Sequence, residues 1–188
     1  MWLPPPPPVP TVTVRLGHEA ITVTGPSNAD KTGMDVGLWE YEETLYSPRG
    51  DSAAVRFCWD AIKYDGCTVY LARPGGQVSP LQNSNVERLL WTQDGEYLVG
   101  AGANTLRLWN LSGGVRSVVY RTKTGAPGGI QRLWLVPNGR GRSDLCVSSL
   151  DNLRYDTPGQ QKPTLERLGL NTVQALDGEA ACPVPTRR

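Results

Sequence analysis

The chain has 188 residues with 19 basic and 18 acidic side chains, which gives a formal net charge of +1. This length is enough to bury a sizeable core in one domain, and the balanced charge singles out no partner by bulk electrostatics. No run approaches 18 apolar residues, and the first residues lack the basic and apolar regions of a secretory signal. We therefore expect a cytoplasmic protein without a membrane partner.

The first 24 residues combine a proline-rich arm with a predicted β-hairpin. Residues 1–10 hold five consecutive prolines, a composition typical of an extended polyproline II segment. Thr11–Leu16 and Glu19–Thr24 alternate and are rich in β-branched residues, which indicates two strands joined by a short turn. We expect the arm to end at residue 10 and a single all-β repeat domain to span residues 11–188.

Three further stretches each have the pattern of a meander of short antiparallel strands. In the clearest, Val86–Tyr120, apolar runs are separated by turns such as Asp94-Gly95, a pair that tolerates the positive φ of hairpin turns. The predicted strands of that unit are Val86–Trp91, Tyr97–Ala101, Thr105–Leu111 and Val115–Tyr120. Those of the unit before it are Leu38–Tyr46, Ala53–Trp59 and Thr68–Ala72. Those of the unit after it are Ile130–Val136, Leu145–Leu150, Asn152–Asp156 and Leu165–Leu168.

The turns of these units recur at a nearly fixed period. Gly50, Gly95 and Gly139 occupy equivalent turns that lie 45 and 44 residues apart, and a repeat of this length is typical of propeller blades. We predict an all-β fold, a small or partial β-propeller-like array of three to four antiparallel meander blades, with a β-sandwich as the alternative. Residues 173–179 look like the start of another unit. A split fourth blade, an open array and completion of the array by a second copy of the chain all stay open.

Residues 86–111 also resemble a known family. The residues that carry the resemblance are, in order, Trp91-Thr92, Asp94-Gly95, Tyr97-Leu98-Val99 and Leu106-Arg107-Leu108-Trp109-Asn110. The stretch is similar to a WD40-type repeat, and the resemblance implies a blade-like fold. It departs from the family pattern at Asn110, where Asp is usual, and at Asn83-Ser84-Asn85, where a Gly-His pair is usual. The family's buried His–Asp network is therefore not carried over to this chain.

The four cysteines have no metal-type spacing. Cys58 and Cys67 flank the loop of a predicted hairpin and could face each other, whereas Cys146 and Cys182 have no predicted partner. Because the chain shows no secretory signal, we expect reduced, partly buried thiols, with a Cys58–Cys67 bridge as the alternative.

Residues suited to catalysis are sparse. His18 is the one histidine and falls in a predicted turn, which excludes histidine-based triads and most zinc sites. No glycine-rich phosphate loop precedes a helical pattern. We expect no enzymatic activity, no cofactor and no metal; carboxylate chemistry of the glycosidase kind is a distant further hypothesis, because no spacing singles out a pair.

The distribution of charge is more informative than its sum. Residues 1–96 hold 12 acidic and 7 basic side chains, and residues 144–188 hold 6 and 5. Residues 97–143 hold no acidic side chain and seven basic ones, and this asymmetry predicts an anionic partner.

The acid-free stretch repeats one tripeptide, Arg107-Leu108-Trp109 and Arg132-Leu133-Trp134. Since alternate side chains of a strand share a face, each Arg is expected beside its Trp. Basic and aromatic side chains on one face suit single-stranded nucleic acid, with guanidinium groups on phosphates and rings on bases. Packing of the tryptophans between neighbouring sheets, with each Arg on a ring, is the alternative for both triplets.

We therefore predict a non-catalytic nucleic-acid-binding protein that favours single-stranded DNA or DNA with single-stranded regions. The predicted contact residues are Arg107, Trp109, Arg116, Tyr120, Arg121, Lys123, Arg132, Trp134, Arg140 and Arg142. The Arg-rich, Lys-poor composition is similar to that of small DNA-damage-response proteins of Deinococcus bacteria, so a role in DNA repair is part of the hypothesis. The rival hypothesis is a protein-interaction scaffold of the propeller type that uses the proline-rich arm and the blade surfaces.

Overall fold

The structure of the protein is a computed structural model. It describes residues 7–29, 37–60, 66–102, 105–111, 116–121, 130–140, 142–149, 164–170, 174–176 and 182–183, with backbone alone for 116–121 and 174–175. Every secondary-structure element assigned in these ranges is a β-strand, so the predicted all-β class is confirmed. The described part of the chain holds no helix that is long and apolar enough to cross a membrane.

Fourteen strands are assigned in the described ranges. In chain order they are β1 (Thr11–Leu16), β2 (Glu19–Thr24), β3 (Glu40–Tyr46), β4 (Ala53–Trp59), β5 (Gly66–Arg73), β6 (Gln77–Pro80), β7 (Arg88–Trp91), β8 (Tyr97–Ala101), β9 (Thr105–Asn110), β10 (Arg116–Arg121), β11 (Ile130–Pro137), β12 (Ser143–Ser149), β13 (Thr164–Gly169) and β14 (Gln174–Ala175). They form the hairpin β1–β2 and three four-stranded antiparallel meanders, here called the first sheet (β3–β6), the second sheet (β7–β10) and the third sheet (β11–β14). One meander per predicted unit is thus confirmed.

The chain divides into two compact units, Met1–Val86 and Glu87–Arg188. The single domain predicted for residues 11–188 stays a prediction. In the unit 1–86, the hairpin packs on the first sheet, and the shared core includes Val14 and Val23 from the hairpin with Val55 and Phe57 from β4. These side chains alternate along their strands, so a period of two in the sequence fixes which face is buried.

In the unit 87–188 the second and third sheets share one core. Val99 and Leu108 of the second sheet pack with Leu145, Val147 and Leu168 of the third. The other face of the second sheet is buried too. Its row of cross-strand neighbours, Trp91, Leu98 and Trp109, is at most 6 % exposed. The propeller-like array and the β-sandwich both stay predictions.

The three equivalent turns each contain a glycine in the left-handed region of backbone conformation. Gly50, Gly95 and Gly139 all have positive φ, between 67° and 74°, which costs glycine no steric strain. Ser47 and Thr92 begin the first two turns, and the carbonyl of each accepts a hydrogen bond from the turn glycine at 2.8 and 2.9 Å. The first two turns thus share one backbone hydrogen bond, and the repeat itself stays a prediction.

The end of the chain differs from the prediction. Residues 173–179 were expected to start a new unit, but Gln174–Ala175 pairs with Leu168 and Gly169 and forms the last strand of the third sheet. The third strand of that sheet is β13, which pairs directly with β12, whereas the predicted strand Asn152–Asp156 lies outside the described residues.

The cysteines differ as well, because the expectation of reduced thiols is wrong. Cys58 and Cys67 are directly opposed on β4 and β5, with Cα atoms 4.1 Å apart, and they form a disulfide. Cys146 and Cys182 form a second disulfide across 36 residues of sequence. The alternative for Cys58 and Cys67 is confirmed, and the second pair was not anticipated.

Candidate nucleic-acid interface

The first Arg-Leu-Trp triplet lies on β9, an interior strand of the second sheet. Leu108 faces the shared core, so Arg107 and Trp109 occupy the opposite face of the strand. Trp109 is 0 % exposed and Arg107 is half-buried. A fully buried ring cannot stack on a base, so Trp109 is not accessible as a stacking partner.

The second triplet lies on β11, an edge strand of the third sheet. Leu133 packs against the core, and the outer face carries Arg132, which is exposed, and Trp134, which is half-buried. The indole Nε1 of Trp134 donates a hydrogen bond of 3.0 Å to the carbonyl of Pro183. This bond uses the edge of the ring, and part of the side chain stays accessible.

The turn between β11 and β12 carries two more of the predicted contacts, Arg140 and Arg142, and both are exposed. The Asn138 carboxamide organises the turn, because its Oδ1 accepts the backbone N–H groups of both arginines at 3.0 and 3.3 Å. Its Nδ2 donates to the carboxylate of Asp144 at 3.2 Å. The backbone bearing both guanidinium groups is therefore tied to one side chain.

For three of the remaining predicted contact residues the structure describes the backbone alone, and the fourth lies outside the described residues. Register places Arg116 opposite Asn110, Tyr120 opposite Leu106 and Arg121 opposite Thr105. Lys123 lies outside the described residues. The roles assigned to these four from the sequence stay predictions.

The described basic residues of 97–143 do not all meet on one surface. The second and third sheets enclose a common core, and Arg107 and Arg132 lie on the faces of their sheets that point away from it. Their side chains therefore leave the unit in opposite directions. The β11–β12 hairpin instead brings Arg132, Arg140 and Arg142 onto one element together with Trp134.

Three arginines outside the hairpin lie in ion pairs with carboxylates. Arg56 and Arg167 each lie 2.9 Å from a carboxylate oxygen, and Arg88 lies 3.7 Å from that of Glu87. Within the described ranges, by contrast, no carboxylate pairs with Arg107 or with any of the three hairpin arginines. The exposed guanidinium groups of the hairpin are therefore available to an anion.

A polar cavity of about 400 Å³ opens beside the hairpin turn. One wall is the β7–β8 turn with Asp94 and Glu96, and the other is the β11–β12 turn with Arg140 and Arg142. Leu170 and Leu176 add an apolar patch to the lining. The cavity was not predicted from the sequence. The equivalent positions of the two turns in their units were the signal that could have indicated that their side chains lie close together.

Sequence reasoning also missed the segment that covers the middle of the third sheet. The Cys146–Cys182 disulfide and the bond from Trp134 hold residues 182–183 against the sheet. Cys146 lies directly opposite Trp134 in the β11–β12 register, so both attachments are on the same outer face. No local pattern around Cys182 indicates this contact.

The polar replacements within the WD40-like stretch have local roles. Asn110 donates to the hydroxyl of Tyr97 at 3.4 Å, and the Ser84 hydroxyl and the Asn85 carboxamide accept the backbone N–H groups of Val69 and Cys67. Comparison with known family models, with curated proteins and with solved structures gave no match.

Proposed function

We propose that this protein is a non-catalytic nucleic-acid-binding protein that contacts single-stranded DNA, or the single-stranded regions of DNA, through the β11–β12 hairpin. The observation that carries the proposal is the grouping of exposed Arg132, Arg140 and Arg142 with Trp134 on one hairpin, with no ion pair to the described carboxylates. In this account the arginines bind phosphates and the ring of Trp134 stacks on a base.

The proposal narrows the surface predicted from the sequence. Trp109 leaves it because it is buried, and Arg107 leaves it because it points away from the hairpin arginines. An edge strand suits the role, since one side of β11 has no neighbouring strand among the described residues and a polymer can follow it. At about 3.3 Å per residue, the seven steps from Ile130 to Pro137 span roughly 23 Å. That is enough to track several nucleotides.

The test is fluorescence anisotropy with labelled single-stranded and duplex oligonucleotides across a salt series. We expect tighter binding to the single strand and a logarithmic salt slope near −0.7 for each phosphate neutralised. The double variant R140A/R142A should weaken binding by about tenfold or more and reduce the magnitude of the slope by up to about 1.4.

The matched control is R15A/R49A, which removes two exposed arginines from the unit 1–86. Arg49 occupies the equivalent turn of the first sheet and so controls for the turn itself. Equal losses in the two double variants, or no binding at low salt, would remove the hairpin as the contact surface.

A second candidate function is protein–protein interaction through β3, the edge strand of the first sheet. Tyr41 and Tyr46 are 44 % and 50 % exposed on this strand, beside the exposed carboxylates of Glu40 and Glu42. Edge strands with exposed aromatic residues pair readily with other chains, including second copies. Sedimentation velocity over a range of concentrations tests it: self-association that is lost in Y41K/Y46K supports this surface, and a monomer at all concentrations rejects pairing between copies.

The cytoplasmic location expected from the sequence stays a prediction, and the disulfides weigh against it. Disulfides persist mainly in oxidising compartments, and all four cysteines are paired here. Alkylation of thiols in intact cells before lysis distinguishes the two locations, since a protein from a reducing compartment takes up label at all four cysteines.

A further inference from the structure

The lining of the cavity beside the hairpin turn carries charges of both signs. Arg140 and Arg142 come from the β11–β12 side together with Asp144, and Asp94 and Glu96 come from the β7–β8 turn. The two walls belong to equivalent turns of neighbouring sheets in the same compact unit. A ligand that fills the space therefore meets cations at one end and hydrogen-bond acceptors at the other.

The lining carboxylates differ in how far they are already engaged. Asp144 is buried and holds the Arg167 guanidinium at 2.9 Å and the Asn138 carboxamide at 3.2 Å. Asp94 accepts the Thr92 hydroxyl and, at 3.0 Å, the backbone N–H of Glu96. These contacts spread much of the negative charge into the protein, while neither lining arginine is paired with a described carboxylate. The two arginines therefore have more capacity left than the carboxylates to bind an oppositely charged group of a ligand.

The size and shape narrow the ligand class. About 400 Å³ lies in the range of small-molecule sites and is too small for more than one or two nucleotide units. Two arginines close together suit the oxygens of a phosphate monoester, which carries a charge of about −1.5 to −2 near neutral pH, more than an internal phosphodiester. Carboxylates of the opposite wall suit sugar hydroxyls or base amino groups, as acidic side chains do in dinucleotide sites.

We propose that this cavity binds the phosphomonoester group of a single nucleotide, with phosphate on Arg140 and Arg142 and the nucleoside toward Asp94 and Glu96. This inference deepens the proposed function and rests on it where the nucleotide is the end of a strand. The same chemistry is offered by a free mononucleotide, and the experiment separates the two sources.

The first arm uses isothermal titration calorimetry with deoxyadenosine 5′-monophosphate, deoxyadenosine and inorganic phosphate. Binding of the monophosphate, with at least tenfold weaker binding of the nucleoside, is the expected result. R140A/R142A should abolish it, and R132A should not change it. Glu96→Gln should weaken binding of the monophosphate and leave binding of inorganic phosphate unchanged, because it alters the wall that faces the nucleoside. Absence of binding by both the monophosphate and inorganic phosphate would overturn the site.

The second arm uses anisotropy with one oligonucleotide made with a 5′-phosphate, a 3′-phosphate or no terminal phosphate. We expect one phosphorylated end to bind roughly tenfold tighter than the unphosphorylated strand, a gain of about 1.4 kcal/mol. R140A/R142A should remove this difference, whereas R132A should weaken all three strands alike. Far-UV circular dichroism of each variant confirms that the fold is retained.

The outcomes separate this inference from the proposed function. Equal binding of all three strands, together with no binding of the monophosphate, rejects the cavity as a phosphomonoester site and leaves hairpin binding standing. Binding of the monophosphate without binding of any strand rejects the proposed function and supports the cavity as a site for free nucleotides.

Discussion

The same three residues, Arg-Leu-Trp, occur on β9 and on β11 and have different surroundings. On β9, Trp109 has cross-strand neighbours on both sides, Leu98 of β8 and Ser117 of β10, and it is 0 % exposed. On β11, the described residues give Trp134 a strand neighbour on one side, Cys146 of β12, and Trp134 is half-buried. In each triplet the Leu faces the shared core.

The comparison teaches that burial of a strand residue depends on the order of strands in the sheet as much as on the residue itself. Alternation fixes which side chains share a face, and this holds in both triplets. The position of the strand then decides whether that face is closed. The tryptophan of the interior triplet is fully buried, whereas that of the edge triplet stays partly accessible.

Truncation of the two tryptophans should separate the triplets most strongly. W109A removes a fully buried indole and should lower the free energy of unfolding by about 3–5 kcal/mol. W134A removes a half-buried ring and one hydrogen bond, so a loss of about 1–2 kcal/mol is expected. Urea denaturation measures both. Equal losses would mean that the two sites are closed to the same extent.

Opening the Cys146–Cys182 disulfide should affect the edge triplet alone. Closure of a loop of 36 residues stabilises by about 4 kcal/mol in the chain-entropy account, so C146S/C182S should lose about that much. Release of residues 182–183 should also increase quenching of Trp134 by acrylamide, read as the difference from the W134F background.

The control is C58S/C67S, whose loop of 9 residues gives an expected loss of about 2.5 kcal/mol. It should leave the quenching of Trp134 unchanged. If both cysteine variants change quenching equally, the C-terminal segment does not cover this tryptophan.

Asn138→Ala should act on the hairpin turn without touching either triplet. Its carboxamide accepts two backbone N–H groups and donates to Asp144, so we expect a loss of about 1–2 kcal/mol. Binding of single-stranded DNA should weaken several-fold, because the backbone that carries Arg140 and Arg142 loses its support.

Ser47→Ala alters a different position of the equivalent turn in the first sheet, where the hydroxyl accepts the N–H of Arg49. It should cost a similar free energy and leave DNA binding within twofold. Reduced binding in both variants would show that the effect comes from global stability and not from the hairpin.

The smallest effect concerns Tyr70 of β5, which lies far in sequence from both triplets. Burial raises the pKa of this phenol above its ordinary value of 10. The unfolded chain then loses the phenolic proton first, so the stability contributed by neutral Tyr70 is present below pH 10 and falls as the pH rises above it. Thermal unfolding from pH 8 to 11 should show a shallower alkaline decline in Tyr70→Phe than in the parent protein. An identical decline would contradict the assignment.

Local sequence patterns predicted the strands of this fold well where typical turn residues separate one strand from the next. The hairpin β1–β2 and the strands β4 and β8 have the predicted bounds, because β-branched alternation ends at glycine or polar turns. The short strand β6 was missed, since Gln77–Pro80 is four residues long and ends in proline.

What depends on pairing between distant segments was not predictable from one sequence. The register that opposes Cys58 and Cys67 follows from a hairpin, and it was accordingly foreseen as an alternative. The Cys146–Cys182 pair and the addition of β14 to the third sheet join segments with no local signal. The same limit applies to Arg107 and Arg132. They occur in the same tripeptide, but the faces of the two sheets on which they lie point in different directions.

The most direct test of the account compares Arg107→Gln with Arg132→Gln in single-stranded DNA binding. Both changes remove one charge from the same tripeptide and keep a polar side chain of similar length. Anisotropy across a salt series should show a three- to tenfold loss for Arg132→Gln, with the salt slope reduced by about one. Arg107→Gln should bind within twofold of the parent protein with an unchanged slope. A larger loss for Arg107→Gln than for Arg132→Gln, or an equal one, would contradict the assignment of binding to the edge hairpin.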